Sequence, residues 1–172
     1  MSFVPVYAEE LGFLQASSYF FVVYALVMLL SRPFTGKWLD VYGANVIVYP
    51  SILIFSFGMF LLAMSETTVM FLLAGAFIGL GWGTLFPTFQ TISVQKAAAE
   101  RRGLAMATFL SIFDLGIGVG SFIVGMVVAE TSLHTFYYSG SFILLLGIVV
   151  YHLMHGRYLL KEPNYQKNNH IG

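Results

Sequence analysis

Apolar residues in this chain fall in long unbroken blocks, with short polar breaks between them. A membrane-spanning helix needs about 20 mainly apolar residues. Five blocks meet that length, at about residues 16–34, 45–64, 69–91, 104–129 and 135–155. The breaks are short, so consecutive helices are expected to lie side by side and antiparallel. A membrane β-barrel would instead show alternating segments of about 10 residues. The run at 20–30 (FFVVYALVMLL) does not alternate, which favours helices. The stretch at 2–8 (SFVPVYA) reads as the tail of a helix. The start of the chain lacks the basic residues of a secretory leader, and Glu9 and Glu10 interrupt its apolar patch. The expected fold is all-α, a polytopic transmembrane bundle of about five spans. Residues 1–158 form the membrane region and 159–172 a polar tail.

Composition narrows the function. Of 172 residues, 58% are hydrophobic and 9% charged. Soluble domains carry roughly 25% charged residues. Mean hydropathy is +0.82. So little polar surface excludes a soluble enzyme and a disordered segment. Eight Lys/Arg balance eight Asp/Glu, which argues against nucleic-acid binding. Cysteine is absent and the four histidines are scattered, so neither a disulfide framework nor a metal centre is expected. No phosphate loop, catalytic triad or paired carboxylates appear, so neither an enzyme nor a cofactor is expected. The first partner is the lipid bilayer.

The positions of the charges orient the bundle. Arg32 and Lys37 fall in the first break, Lys96, Arg101 and Arg102 in the third, and Arg157, Lys161 and Lys167 after the last span. Antiparallel spans put all three segments on one side. Glu9, Glu10, Glu66 and Glu130 fall on the other. Basic residues near span ends mark the cytoplasmic side, so the C-terminus is expected inside. Five spans then leave the N-terminus outside. A further helix ahead of Met1 is the expected remedy.

Asp114 is the ionisable side chain placed inside a confident span. It lies roughly 15 Å into the membrane, near the midplane. A carboxylate at that depth costs about 2.5–3.5 kcal/mol on insertion scales. Three roles fit: a proton acceptor coupled to transport, a counter-charge for a cationic substrate, or a hydrogen-bonded packing residue. Trp82, Gln90 and Tyr24 are further candidates for contact with a substrate. Trp82 suits this because an aromatic ring stacks on organic ligands and cations. Gly79 and Gly83 on one span, and Gly116 and Gly120 on the next, are expected to let helices approach closely. Pro87 should kink its helix.

The first break reads Arg32-Pro33-Phe34-Thr35-Gly36-Lys37-Trp38-Leu39-Asp40-Val41-Tyr42-Gly43. Gly36, Asp40 and Gly43 match the Gly-x-x-x-Asp-x-x-Gly cytoplasmic loop of the major facilitator superfamily. Ala44 and Asn45 stand where that family usually has basic residues. The opening Glu100-Arg101-Arg102-Gly103 of the fourth span is similar to the same family. The stretch Gly116-Ile117-Gly118-Val119-Gly120-Ser121 resembles a loose form of its antiporter motif, with Ser121 in place of proline. The resemblance covers essentially the whole chain and is strongest to bacterial exporters of drugs or sugars. It implies that the five spans correspond to helices 8–12 of a twelve-helix transporter, with residues before 16 ending the seventh. It implies a proton-coupled secondary transporter of small organic compounds, exporter-like, in the bacterial plasma membrane. The chain would be an incomplete C-terminal half whose partner is the missing N-terminal half. Arg32, Gly36, Asp40 and Gly43 would form the loop motif. The competing expectation is a small membrane subunit that scaffolds a partner without transport. A membrane-embedded enzyme ranks third, for want of a catalytic pair.

Overall fold

A computed structural model describes residues 3–95 and 97–153. Lys96 and the polar tail lie outside these residues. The described residues form helices α1 (Val4–Glu10), α2 (Leu14–Tyr42), α3 (Ala44–Ala63), α4 (Thr68–Gln95), α5 (Arg102–Glu130) and α6 (Leu133–Tyr151), with a short 3-10 turn at Ala99–Arg101. No strand occurs among them. Five of the helices are long and apolar enough to cross a membrane.

The helices run past the polar breaks that the sequence pattern sets between them. Residues 32–42 are helical, so Arg32, Gly36 and Asp40 ride on α2 and do not form a loop. Only Gly43 leaves the helix, with φ +78°, a conformation that suits glycine. The reason for this correction is physical. Polarity marks where a span leaves the membrane, and it does not by itself end a helix. Pro33 removes the backbone donor that would pair with Leu29 O, yet the helix continues through it to Tyr42. α4 likewise continues to Gln95, and α5 begins at Arg102.

α4 is the central helix, and glycines set its crossings. Gly75, Gly79 and Gly83 recur every four residues on one face of it. They lie against Phe20, Tyr24 and Met28 of α2, which share the same spacing. A Cβ at Gly79 would stand 2.6 Å from the Tyr24 carbonyl oxygen. On another face Gly81 meets the backbone of Phe55 on α3, where a Cβ would stand 2.8 Å from Phe55 Cα. Gly58 of α3 receives Ile78 in return. Such contacts matter in lipid, where association rests on close packing and not on hydrophobic burial.

α6 packs antiparallel to α3. Ser56 Oγ donates to the Ser141 carbonyl at 2.7 Å, buried between the two helices. At their far ends the Tyr151 hydroxyl donates to Asn45 Oδ1 at 2.7 Å, and the Tyr49 hydroxyl pairs with His152 Nδ1 at 2.8 Å. α1 closes the opposite end, where the Tyr7 hydroxyl donates to Ala63 O at 2.9 Å. α5 differs from the rest, since none of its residues is buried.

Candidate functional site

Three cavities and one open helix face hold the candidate side chains. The first cavity, of about 240 Å³, lies at the basic end. Arg32 and Gly36 of α2 meet Pro87, Thr88, Gln90 and Thr91 of α4 there. The structure thus joins two candidate groups that stand far apart in sequence. Gln90 Nε2 donates to Met106 Sδ of α5 at 3.2 Å. Around Pro87, Thr84, Thr88 and Thr91 each donate to a carbonyl one turn back. These bonds keep the hydroxyls satisfied in an apolar setting. Asp40 lies on α2 nearby in sequence, but its side chain is outside the described residues.

A second, larger cavity of about 610 Å³ lies between the end of α4 and the start of α5. Arg101, Thr108, Phe109 and Phe113 are among its walls. Behind it runs a ladder of rings. Phe113 lies 4.8 Å from Phe86 and 5.9 Å from Trp82, and Phe109 lies 6.2 Å from Phe113 and nearly parallel to it. This ladder ties α5 to α4, and sequence reading missed it. Its signal was present as Phe109 and Phe113 four residues apart.

Asp114 is the residue that follows Phe113 of that ladder. The residue is exposed and lines none of the three cavities. Trp82 and Tyr24 are half-buried. Trp82 faces α5 and a third cavity of about 420 Å³, whereas Tyr24 sits in the crossing of α2 and α4. The four substrate candidates therefore occupy four different places and do not converge on one point.

The packing glycines also divide. Gly79 and Gly83 are at helix crossings, as described above. Gly116 and Gly120 are not: a Cβ at either would meet nothing within 4 Å. They border the third cavity instead. Within this chain they do not carry a helix crossing, because glycine spacing shows that an approach is allowed, and not that a neighbour is there. Among the described residues no cluster of three or more metal-ligating side chains occurs. Arg32, Lys37, Arg101 and Arg102 are all exposed, and the helix order puts them at one end of the bundle.

Comparison with known proteins agrees with this helical architecture. The sequence matches the Major Facilitator Superfamily over residues 1–170. It is 30% identical over 127 residues to an uncharacterized MFS-type transporter of Methanocaldococcus jannaschii, covering 73% of this chain and 32% of that protein. It is 27% identical over 170 residues to the quinolone resistance protein NorA of Staphylococcus aureus, covering 95% of this chain and 42% of the relative. It is 22% identical over 134 residues to multidrug resistance protein 1 of Bacillus subtilis, covering 78% and 34%. The matched region is thus less than half the length of each relative. Over nearly its whole length, this five-span helical chain belongs to the Major Facilitator Superfamily.

Proposed function

We propose that the chain forms part of a proton-coupled secondary transporter that exports small organic compounds. The observation that carries this reading is the open face of α5. That helix has no buried residue, and it carries an exposed carboxylate, Asp114, in the middle of an apolar span. A carboxylate turned to lipid at that depth is costly, so this face meets water, substrate or another protein segment. In transporters of this architecture the substrate site lies near the midplane, between two helical halves. Asp114 then takes and releases the coupling proton, and the α5 face lines the path against a complementary six-helix half. The names of the drug-resistance relatives support an organic substrate and outward transport.

The basic ends of α2 and α5 face the cytoplasm in this reading. Absence of cysteine makes that simple to check. In intact cells a membrane-impermeant maleimide should label Glu66→Cys and leave Lys37→Cys unlabelled until the cells are opened. The reverse pattern would refute the orientation.

Flux tests the function itself. Inverted vesicles with an acidic interior are prepared in two forms, with this chain alone and with the chain joined to a complementary half. Adding a quinolone should release protons in the second form only. Flux from the chain alone would refute the half-transporter reading. Silence from both forms, across quinolones and lipophilic cations, would favour the scaffolding subunit.

A further inference from the structure

The 610 Å³ cavity between the end of α4 and the start of α5 has one charged end and a long apolar body. Ser93, Ala97 and Ala98 form one wall. The other wall is a stripe of α5, made of Leu104, Ala105, Thr108, Phe109, Ile112 and Phe113. Arg101 stands at one end of that stripe, in the 3-10 turn just before α5. Both wall hydroxyls donate to helix carbonyls, Ser93 Oγ to Phe89 O at 2.9 Å and Thr108 Oγ1 to Leu104 O at 2.8 Å. Among the described residues, no side chain pairs with the Arg101 guanidinium. It is therefore the charged group that meets a guest, and the rest of the groove is apolar.

Length and register both match a lipid. From Arg101 to Phe113 the stripe runs about 18 Å along the helix. One leaflet of hydrocarbon is about 15 Å deep. The groove thus reaches from the basic end of the bundle, at headgroup level, to the bilayer midplane. Its apolar side chains are open to the surroundings, with Leu104 68% and Ile112 67% exposed. The centre of the stripe lies roughly 170° around α5 from position 114. A partner segment packed on the Asp114 face therefore does not cover it. A soluble anion would leave the apolar walls unfilled, and a neutral lipid would leave Arg101 without a counter-charge.

We infer that this groove binds an anionic phospholipid of the bilayer. Arg101 holds the phosphate, because a planar guanidinium matches two phosphate oxygens at once. One acyl chain lies along Leu104 and Ile112 and reaches the rings of Phe109 and Phe113. This inference does not rest on transport or on orientation, since binding is read at equilibrium and both leaflets can supply the lipid.

The test uses the whole chain in lipid nanodiscs with Trp38→Phe, which leaves Trp82 as the sole tryptophan. Trp82 lies 5.9 Å from Phe113, at the deep end of the groove. The probes are phosphatidylglycerol and phosphatidylcholine with brominated acyl chains, which quench tryptophan at contact range. Each is titrated into plain phosphatidylcholine. Brominated phosphatidylglycerol should quench with saturation, at roughly fivefold lower mole fraction than brominated phosphatidylcholine, the usual worth of one basic residue at an anionic surface. Arg101→Gln should bring the two lipids to parity and leave melting unchanged, because Arg101 is exposed. Arg102→Gln, outside the groove lining, should keep the preference. Free glycerol phosphate should leave the quenching unchanged; displacement by it would assign the site to a soluble anion and overturn the lipid. Equal quenching by the two lipids overturns the site. A preference that survives Arg101→Gln, or falls equally in Arg102→Gln, overturns the location. Loss of the preference once the chain is joined to a complementary half would show that a protein segment covers the groove, and overturns the lipid as occupant.

Discussion

Replacing Gly79 by leucine should abolish the native bundle, whereas the same change at Gly116 should leave it folded. The contrast follows from what each new side chain meets. At Gly79 the first added carbon would lie 2.6 Å from the Tyr24 carbonyl oxygen and 3.1 Å from its Cα. Backbone atoms cannot rotate away, so α2 and α4 must separate. Separation strips Phe20 and Met28 from the same glycine stripe. Even Gly79→Ala should cost about 1–3 kcal/mol by overpacking. Alanine's helix preference returns at most about 1 kcal/mol, so the clash prevails. At Gly116 nothing lies within 4 Å, and alanine there should be neutral or stabilising by up to about 1 kcal/mol. Thermal melting in detergent separates the two outcomes. A loss of 1–3 kcal/mol should lower the midpoint by roughly 2–12 °C in a chain of this size. Equal midpoints for Gly79→Ala and Gly116→Ala would show that the α2–α4 crossing is not as close as described.

Asp114→Asn should eliminate proton-driven transport by the assembled transporter while leaving helix content and melting unchanged. Asparagine keeps the size and polarity of the side chain and removes the exchangeable charge. Because Asp114 is exposed, its replacement leaves no buried partner unsatisfied. A structural role predicts the opposite pattern, with lowered stability and retained coupling. Asp114→Glu gives the finer control, since it restores the proton site with a longer arm. Substrate-dependent proton release from vesicles, measured beside equilibrium substrate exchange, reads both properties. Retained coupling in Asp114→Asn would remove this residue from the proton path.

The sequence disclosed the spans because lipid demands long apolar runs, and no other requirement overlays that signal. Helix ends were less legible. Residues 32–42 are polar enough to leave the membrane and still regular enough to stay helical, so hydropathy ends the span early while backbone hydrogen bonding continues. The glycine stripe on α4 could be read from its spacing. The sequence could not show which glycines meet a helix, because Gly79 and Gly116 stand in similar local contexts. Depth singled out Asp114, yet its side of the helix could not be read. A span that is apolar all round gives no stripe to orient it. The groove beside Arg101 was missed because an arginine near a span end ordinarily anchors at the interface. Only the packing of α5 beside α4 shows the apolar channel that starts at it.

The glycine crossings also fix an order of assembly. Both of them join α4 to helices that precede it in the chain, α2 and α3. Translation delivers the chain from its N-terminus, and segments pack as their partners emerge. The tightest part of the bundle is therefore complete once residue 95 has been inserted. α5 follows and rests on its ring ladder against α4, and α6 then adds to the finished face of α3. A nascent chain stopped just after α4 already holds every close glycine contact described here.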